Sequence, residues 1–474
     1  MKKLFTIIVL FFIVLVSFAQ SARTITKAEQ QPETSPLIVN RINEWQDLKF
    51  GFFAHWGIYA TQQLVESWSI CNEEWIDRKG AEYETYKNWY WDLNKKFNPK
   101  NFDANKWADA AKDCGMKYFV FTTKHHDGFC MYDTKQTDYS VAGKDCPYSL
   151  NKNNDIVKQV VDAFRSRGFW TGLYFSKADW HNQDYWSPLW ATPDRNVNYN
   201  IDKHPEKWQR FCDFTYKQIQ EITHNYGDID ILWLDGGWIR PEWSITDEEV
   251  KSWLGAYKRV QDINMPYLAK IARQGNEDMI IVDRSVGGKY ENYRTPEQTV
   301  PDEPLDYPWE TCMTMGDSWS YVKNDNYKST NQLIHILVDV VCKGGNFLLN
   351  VGPDENGNLP EEALKRMKEI GAWMKINGSA IYSTRPIAPY KSNNMCFTEG
   401  KDGKVYAIIL LSQETQLQSS YSFIFSKTLK TGSKQILGTK LKAKISRKES
   451  EYTLTIKPSD IKKIKEHDAL VIVL

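Results

Sequence analysis

Residues 229–238 read Ile229-Asp230-Ile231-Leu232-Trp233-Leu234-Asp235-Gly236-Gly237-Trp238. An apolar run of strand length ends on a carboxylate, and two glycines follow at once. Such a run, bounded by turn residues, marks a strand buried on both faces, the kind found in parallel sheets. The Asp has two readings. One is a turn residue capping the next element, the commoner fate of Asp-Gly. The other is a semi-buried carboxylate at a strand exit, placed between Trp233 and Trp238 for nucleophilic chemistry.

The same design recurs along the chain. Strand-like runs fall at Lys49–Trp56, Tyr118–Thr123, Phe169–Phe175, Met279–Val282, Thr311–Thr314 (weak) and Asn346–Val351. Helical patterns lie between them at Asp155–Arg167, Glu206–Tyr226, Thr330–Cys342 and Pro360–Lys375. In the last, Pro followed by two Glu suits a helix N-terminus. Alternating strands and helices predict a parallel sheet, and seven or eight units over residues 40–380 predict an α/β fold of the (β/α)8-like barrel type. A doubly wound sheet is the alternative, but no glycine-rich nucleotide fingerprint supports it. Beyond residue 385 the pattern shortens to Val405–Leu411, Ser422–Phe425, Lys434–Leu437, Leu441–Ile445, Tyr452–Ile456 and Ala469–Leu474. This reads as a C-terminal antiparallel β-sandwich.

The N-terminus carries Lys2 and Lys3, the apolar run Leu4–Val16 and a small-residue exit, which together form a signal peptide. The run is too short for a membrane span of roughly 20 residues, so no membrane insertion is expected after cleavage. The domain expectation is a signal peptide at 1–20, a flexible leader at 21–37, the barrel at 38–383 and the sandwich at 384–474. The location expected is periplasmic or secreted. Charge is balanced, with 60 basic and 60 acidic residues, and no basic run suggests a nucleic-acid partner. The eight Cys are scattered without a Cys-x-x-Cys pair and read mostly as buried free thiols, with room for one bridge. The 19 Trp, 25 Tyr and 21 Phe suit either a large core or stacking against sugar rings.

In a barrel, the C-terminal strand ends build the site, and these ends are rich in chemistry. They carry His55 and Trp56; Lys124, His125, His126 and Asp127; Tyr174 and Ser176; Asp235; and Asp283 and Arg284. Adjacent residues on an extended chain point to opposite sides. His125 and His126 are therefore a poor chelating pair, and binding of substrate hydroxyls fits them better than a metal. The plainer alternative is one buried His and one exposed. Arg284 either neutralises a carboxylate or forms a structural ion pair. A retaining glycosidase needs a second carboxyl about 5–5.5 Å from the first. Glu66, Glu291 and Glu297 are all candidates, and local chemistry does not rank them.

Taken together, several blocks resemble glycoside hydrolase family 29, the α-L-fucosidases. They are His55-Trp56-Gly57, Lys124-His125-His126-Asp127-Gly128-Phe129, Gly172-Leu173-Tyr174, Trp233-Leu234-Asp235-Gly236, Thr295-Pro296-Glu297, Trp309-Glu310, Ser318-Trp319, Gly344-Gly345-Asn346 and Asn350-Val351-Gly352-Pro353. The resemblance spans residues 40–380, and the C-terminal sandwich also fits. It implies a retaining exo-α-L-fucosidase acting on fucosylated oligosaccharides or glycoconjugates through a covalent fucosyl-enzyme. Asp235 is then the nucleophile and Glu297 the acid/base, with Glu291 as runner-up. His55, His125, His126, Tyr174, Arg284 and Trp319 look like the fucose-binding set. Glu66 and Trp68 join it, although Glu66-Ser67-Trp68 departs from the Glu-Trp-Tyr form. No cofactor or metal is implied. Two other readings compete: a barrel glycosidase for another terminal sugar, and a non-catalytic carbohydrate-binding protein. Retention of both Asp235 and a Glu in the Thr-Pro-Glu loop argues against the second.

Overall fold

The computed structural model describes residues 32–245, 260–464 and 468–474. The expected signal peptide and most of the expected leader lie outside these residues. Seven parallel strands form one sheet: β1 (Phe50–Ala54), β2 (Tyr118–Lys124), β3 (Trp170–Ser176), β4 (Ile231–Asp235), β5 (Ile280–Asp283), β6 (Glu310–Thr314) and β7 (Asn346–Val351). Their order is β5-β4-β3-β2-β1-β7-β6. Every residue of β1, β2, β5, β6 and β7 is buried. That is why these strands read as continuous apolar runs rather than alternating ones.

The ring closes through an irregular segment. Val282 of β5 pairs with Glu291, Arg294 with Trp309, and Glu297 with Cys312 of β6. Asn292 N–H donates to Ile281 C=O at 3.0 Å, Glu310 N–H to Arg294 C=O at 2.8 Å and Gln298 N–H to Cys312 C=O at 2.9 Å. Residues 290–298 thus take the eighth place, and among the described residues the barrel has seven regular strands instead of eight.

Helices pack outside: α1 (Pro36–Leu48), α2 (Tyr83–Trp91), α3 (Ala104–Cys114), α4 (Ile156–Arg165), α5 (Pro205–His224), α6 (Met265–Gly275), α7 (Thr330–Cys342) and α8 (Glu361–Asn377). α4 shows the local logic. The Asp155 carboxylate caps the free N–H of Lys158 at 2.8 Å. Ile156, Val157, Val160, Val161 and Phe164 bury one face, the helical spacing an amphipathic helix requires. Close helix-bearing strands need small residues where backbones meet: a Cβ on Gly172 would sit 2.4 Å from the Phe119 carbonyl oxygen.

From Thr384 the chain forms eight antiparallel strands, β8 (Thr384–Ser392), β9 (Met395–Gly400), β10 (Val405–Leu410), β11 (Ser420–Ile424), β12 (Gly432–Ile436), β13 (Lys442–Lys448), β14 (Glu451–Ile456) and β15 (Ala469–Val473). Their order is β11-β14-β13-β12-β15-β10-β9-β8. β11 lies at one end of that order and β9 next to the other, yet the Phe397 and Phe423 rings meet at 5.1 Å. The sheet therefore folds over on itself around a separate core that includes Phe397, Phe423, Leu454 and Ile472. All eight cysteines are buried free thiols.

Candidate active site

Asp235 ends β4, and Gly236 turns the chain immediately at φ +88°, a conformation that favours glycine. The turn aims Gly236 N–H back at Asp235 Oδ1, 2.8 Å away. Tyr174 OH donates to Oδ2 at 2.9 Å, and Arg284 Nη1 lies 3.3 Å from Oδ1. Burial alone would raise this pKa. The Arg284 charge, with the Gly236 N–H, outweighs it and holds the carboxyl well below the usual range. Asp235 is thus a fully ionised, half-buried anion at a strand exit, as a nucleophile requires.

Arg284 carries the second carboxyl. Its Nη2 donates to Glu297 Oε2, and its Nε donates to Thr295 Oγ1 at 3.1 Å. One guanidinium therefore bridges Asp235 and Glu297. Glu297 reaches this place because the closing segment pairs it with Cys312 in the middle of β6. Glu291 faces elsewhere. Its Oε1 accepts from Ser285 N–H at 2.9 Å, bracing a residue at φ +62°, and its Oε2 lies 3.5 Å from Arg294 Nε.

Three imidazoles line the same cup. The expectation that His125 and His126 diverge is overturned: their rings lie 4.3 Å apart, and both are buried. The strand ends at Lys124 and the chain turns, so strand alternation no longer applies. Burial pushes the His55 and His126 pKa values down to about 4, and His125 well below its usual value. All three are neutral at working pH. His55 Nδ1 pairs with Asn350 Oδ1 at 2.8 Å, while the Asn350 amide N–H donates to Trp319 C=O at 2.7 Å. His126 Nδ1 lies 2.6 Å from Ser176 Oγ, and that hydroxyl gives its proton to Ala178 C=O at 2.8 Å. Both Nδ1 atoms must then be the donors, which leaves both Nε2 atoms as acceptors. His126 Nε2 stands 3.6 Å from Asp235 Oδ2. Two acceptors facing each other suit a ligand O–H placed beside them. His125 Nδ1 is held by Ser67 Oγ.

Glu66 adds a third carboxyl. It is buried, its N–H donates to Ser320 Oγ at 3.2 Å, and its Oε2 has no hydrogen-bond partner. Burial, then Glu297 and Asp235, push its pKa up to about 8. A buried polar atom left unpaired costs about 1–3 kcal/mol, so this oxygen is free to take a hydrogen bond. Trp68 lies 5.2 Å from the His126 ring, and Trp319 lies 4.9 Å from His55.

The Glu66 environment has a measurable consequence. A carboxyl whose folded pKa is raised holds its proton more tightly in the folded chain. That stabilisation is complete below the unfolded pKa of about 4.3 and is lost as pH rises through about 8. Glu66→Gln removes the loss. Its Tm relative to the parent is expected to rise between pH 5 and 9, by on the order of 2–4 °C. A difference that stays flat over this range would show that Glu66 is not strained.

Several supporting residues carried no signal of their own in the sequence. A buried pair, Lys177 and Asp283, stands behind the nucleophile, and Lys177 N–H donates to Asp235 C=O at 2.9 Å. Glu310 accepts from Tyr118 OH at 2.5 Å and Trp233 Nε1 at 3.3 Å. This fixes the indole beneath Tyr174, 5.3 Å ring to ring. Ser176 and Asp283 stand at strand ends, so position alone pointed to them. Glu310 sits inside the barrel, and the sequence points to it only through the Trp309-Glu310 block of the family resemblance.

A barrel whose strand ends present two carboxylates on one guanidinium, ringed by neutral imidazoles and indoles, is the site of a glycoside hydrolase. The α-L-fucosidase family model matches residues 17–379. The α-L-fucosidase of Dictyostelium discoideum is 29% identical over 430 residues, 85% of this chain and 84% of that protein. The tissue α-L-fucosidase of Bos taurus is 29% identical over 420 residues, 84% of this chain and 81% of that protein. Among solved structures, α-L-fucosidase isoenzyme 1 from Paenibacillus thiaminolyticus superposes with a TM-score of 0.73 at 29% identity, covering 92% of this chain and 99% of that one. The chain belongs to the α-L-fucosidase family.

Proposed function

We propose that this α-L-fucosidase acts by retention, with Asp235 as nucleophile and Glu297 as acid/base, on terminal α-L-fucose of glycans outside the cytoplasm. The observation that carries the assignment is the Arg284 guanidinium shared by Asp235 and Glu297. In the first step Asp235 Oδ2 bonds to the anomeric carbon. The glycosidic C–O bond breaks, and Glu297 gives its proton to the departing oxygen. In the second step water bonds to the anomeric carbon, its proton goes to Glu297, and the ester bond to Asp235 breaks. Esterification removes the charge of Asp235, so that Arg284 faces Glu297 alone during the second step. His55 and His126 Nε2 accept sugar hydroxyls, and Glu66 serves one more.

Export rests on the residues at the N-terminus: two Lys, an apolar run and a small-residue exit. Among the described residues no helix is long and apolar enough to cross a membrane. The intact mass of protein recovered from the cell envelope or medium is the check; a mature chain still carrying residues 1–20 would overturn export.

Retention is tested by two readouts in one experiment. NMR of the first-formed sugar is expected to show α-L-fucose before mutarotation. Treatment with 2-deoxy-2-fluoro-α-L-fucosyl fluoride is expected to add one fluorofucosyl mass to the peptide containing Asp235. A β product, or a label on another residue, rejects the assignment.

A further inference from the structure

Trp75 is 56% exposed, yet it is held in place. Its indole N–H donates to Glu73 Oε2 at 2.6 Å. Arg195 grips the same carboxylate through Nε and Nη2, both at 2.5 Å. Both partners of that ion pair are largely shielded, with side chains 7% and 14% exposed for Arg195 and Glu73. The guanidinium also lies over the Trp68 ring at 4.6 Å and near the Trp238 ring at 5.4 Å. A shielded bidentate pair is a costly device for fixing a surface side chain, so the fixed ring itself calls for an explanation.

The ring is continuous with the active site. Trp75 packs 5.5 Å from Trp68, Trp68 packs 5.2 Å from His126, and His126 faces Asp235. Trp75 therefore sits one ring further out than the sugar cup. Its only hydrogen-bonding group is already used by Glu73, so the surface it leaves exposed is aromatic carbon. A flat, rigid, non-hydrogen-bonding surface beside a sugar-cleaving centre matches the C–H face of a pyranose.

We infer that Trp75 is the stacking platform for the sugar on the leaving-group side of the scissile bond, and that the ligand taken there is a neutral pyranoside ring. This rests on the fucosidase reading above. The Glu73–Arg195 pair acts as a positioning device for the platform. It has no place in the bond-breaking steps.

The test compares leaving groups. Trp75→Ala and Trp75→Phe are assayed with α-L-fucosyl fluoride, whose leaving group is too small to reach Trp75. They are also assayed with disaccharides carrying fucose in α-1,2, α-1,3, α-1,4 and α-1,6 linkage. Trp75→Ala is expected to lose about tenfold more kcat/KM on the parent enzyme's best disaccharide than on the fluoride, mostly through KM, and Trp75→Phe to recover most of it. Trp75 is a surface residue, so both variants should fold. Equal losses on both substrate types, no loss at all, or a parent enzyme that hydrolyses the fluoride but no disaccharide would each overturn the platform. A parent enzyme that releases fucose from no probe overturns the fucosidase reading itself.

Discussion

Asp235→Ala is expected to lower kcat/KM on an aryl α-L-fucoside by on the order of 10⁴-fold or more, while Tm moves by only a few degrees. The size of the effect follows from what the carboxylate does. Tyr174 OH, Gly236 N–H and Arg284 surround it and keep it ionised, unlike Glu66 across the cup, whose pKa is pushed up to about 8. Asp235 is thus a carboxyl whose surroundings hold it well below the usual range, where Glu66 is pushed above it. Removing it leaves Arg284 paired with Glu297 and leaves Tyr174 OH without its acceptor, but the side chain is partly exposed and the core is untouched. The space vacated lies against a cation and a hydroxyl donor, which suits a small anion. Azide is therefore expected to restore turnover and give the β-L-fucosyl azide, the product of one inversion. Residual activity above about one per cent of the parent, or an α-azide, would mean that another residue attacks the anomeric carbon.

Most of this site was legible because a barrel gathers its strand ends. β1 to β5 end near His55, His125, Tyr174, Asp235 and Arg284, and these residues were visible as polar groups closing apolar runs. What the pattern missed has physical causes. Residues 290–298, Tyr-Glu-Asn-Tyr-Arg-Thr-Pro-Glu-Gln, complete the ring through isolated pairings. They carry no apolar run, and Pro296 gives no N–H to a ladder. Local chemistry alone therefore leaves Glu291, Glu297 and Glu66 unranked; the resemblance puts Glu297 first, and the structure separates the two loop residues by their partners, Arg284 for Glu297 and Ser285 N–H with Arg294 for Glu291. β8 was missed because Pro386 and Pro389 interrupt it; it lies at the sheet edge, where proline is tolerated. The Glu73–Arg195 pair spans 122 residues between two loops, and neither end has a local pattern. The two histidines depart from strand alternation for a related reason: β2 ends at Lys124, just before them.

Glu297→Ala is expected to cost on the order of 10³-fold or more in kcat/KM on natural fucosides, and 10- to 100-fold less than that on aryl fucosides with a highly acidic phenol. The difference is the signature of a proton donor: a leaving group stable as an anion needs no proton, so only the second step stays slow. With such an aryl substrate, azide is expected to bypass that step and give the α-L-fucosyl azide, since it attacks the fucosyl-enzyme on the face water would use. Glu291→Ala makes the contrast. Glu291 braces Ser285 N–H and faces Arg294, so its loss should appear in stability and loop order. Its kcat/KM on natural and aryl substrates should fall by similar factors, and azide should form no fucosyl azide. If the leaving-group dependence and the α-azide follow Glu291 instead, the closing segment binds its ligand in a different register, with Arg284 holding Glu297 as a structural partner.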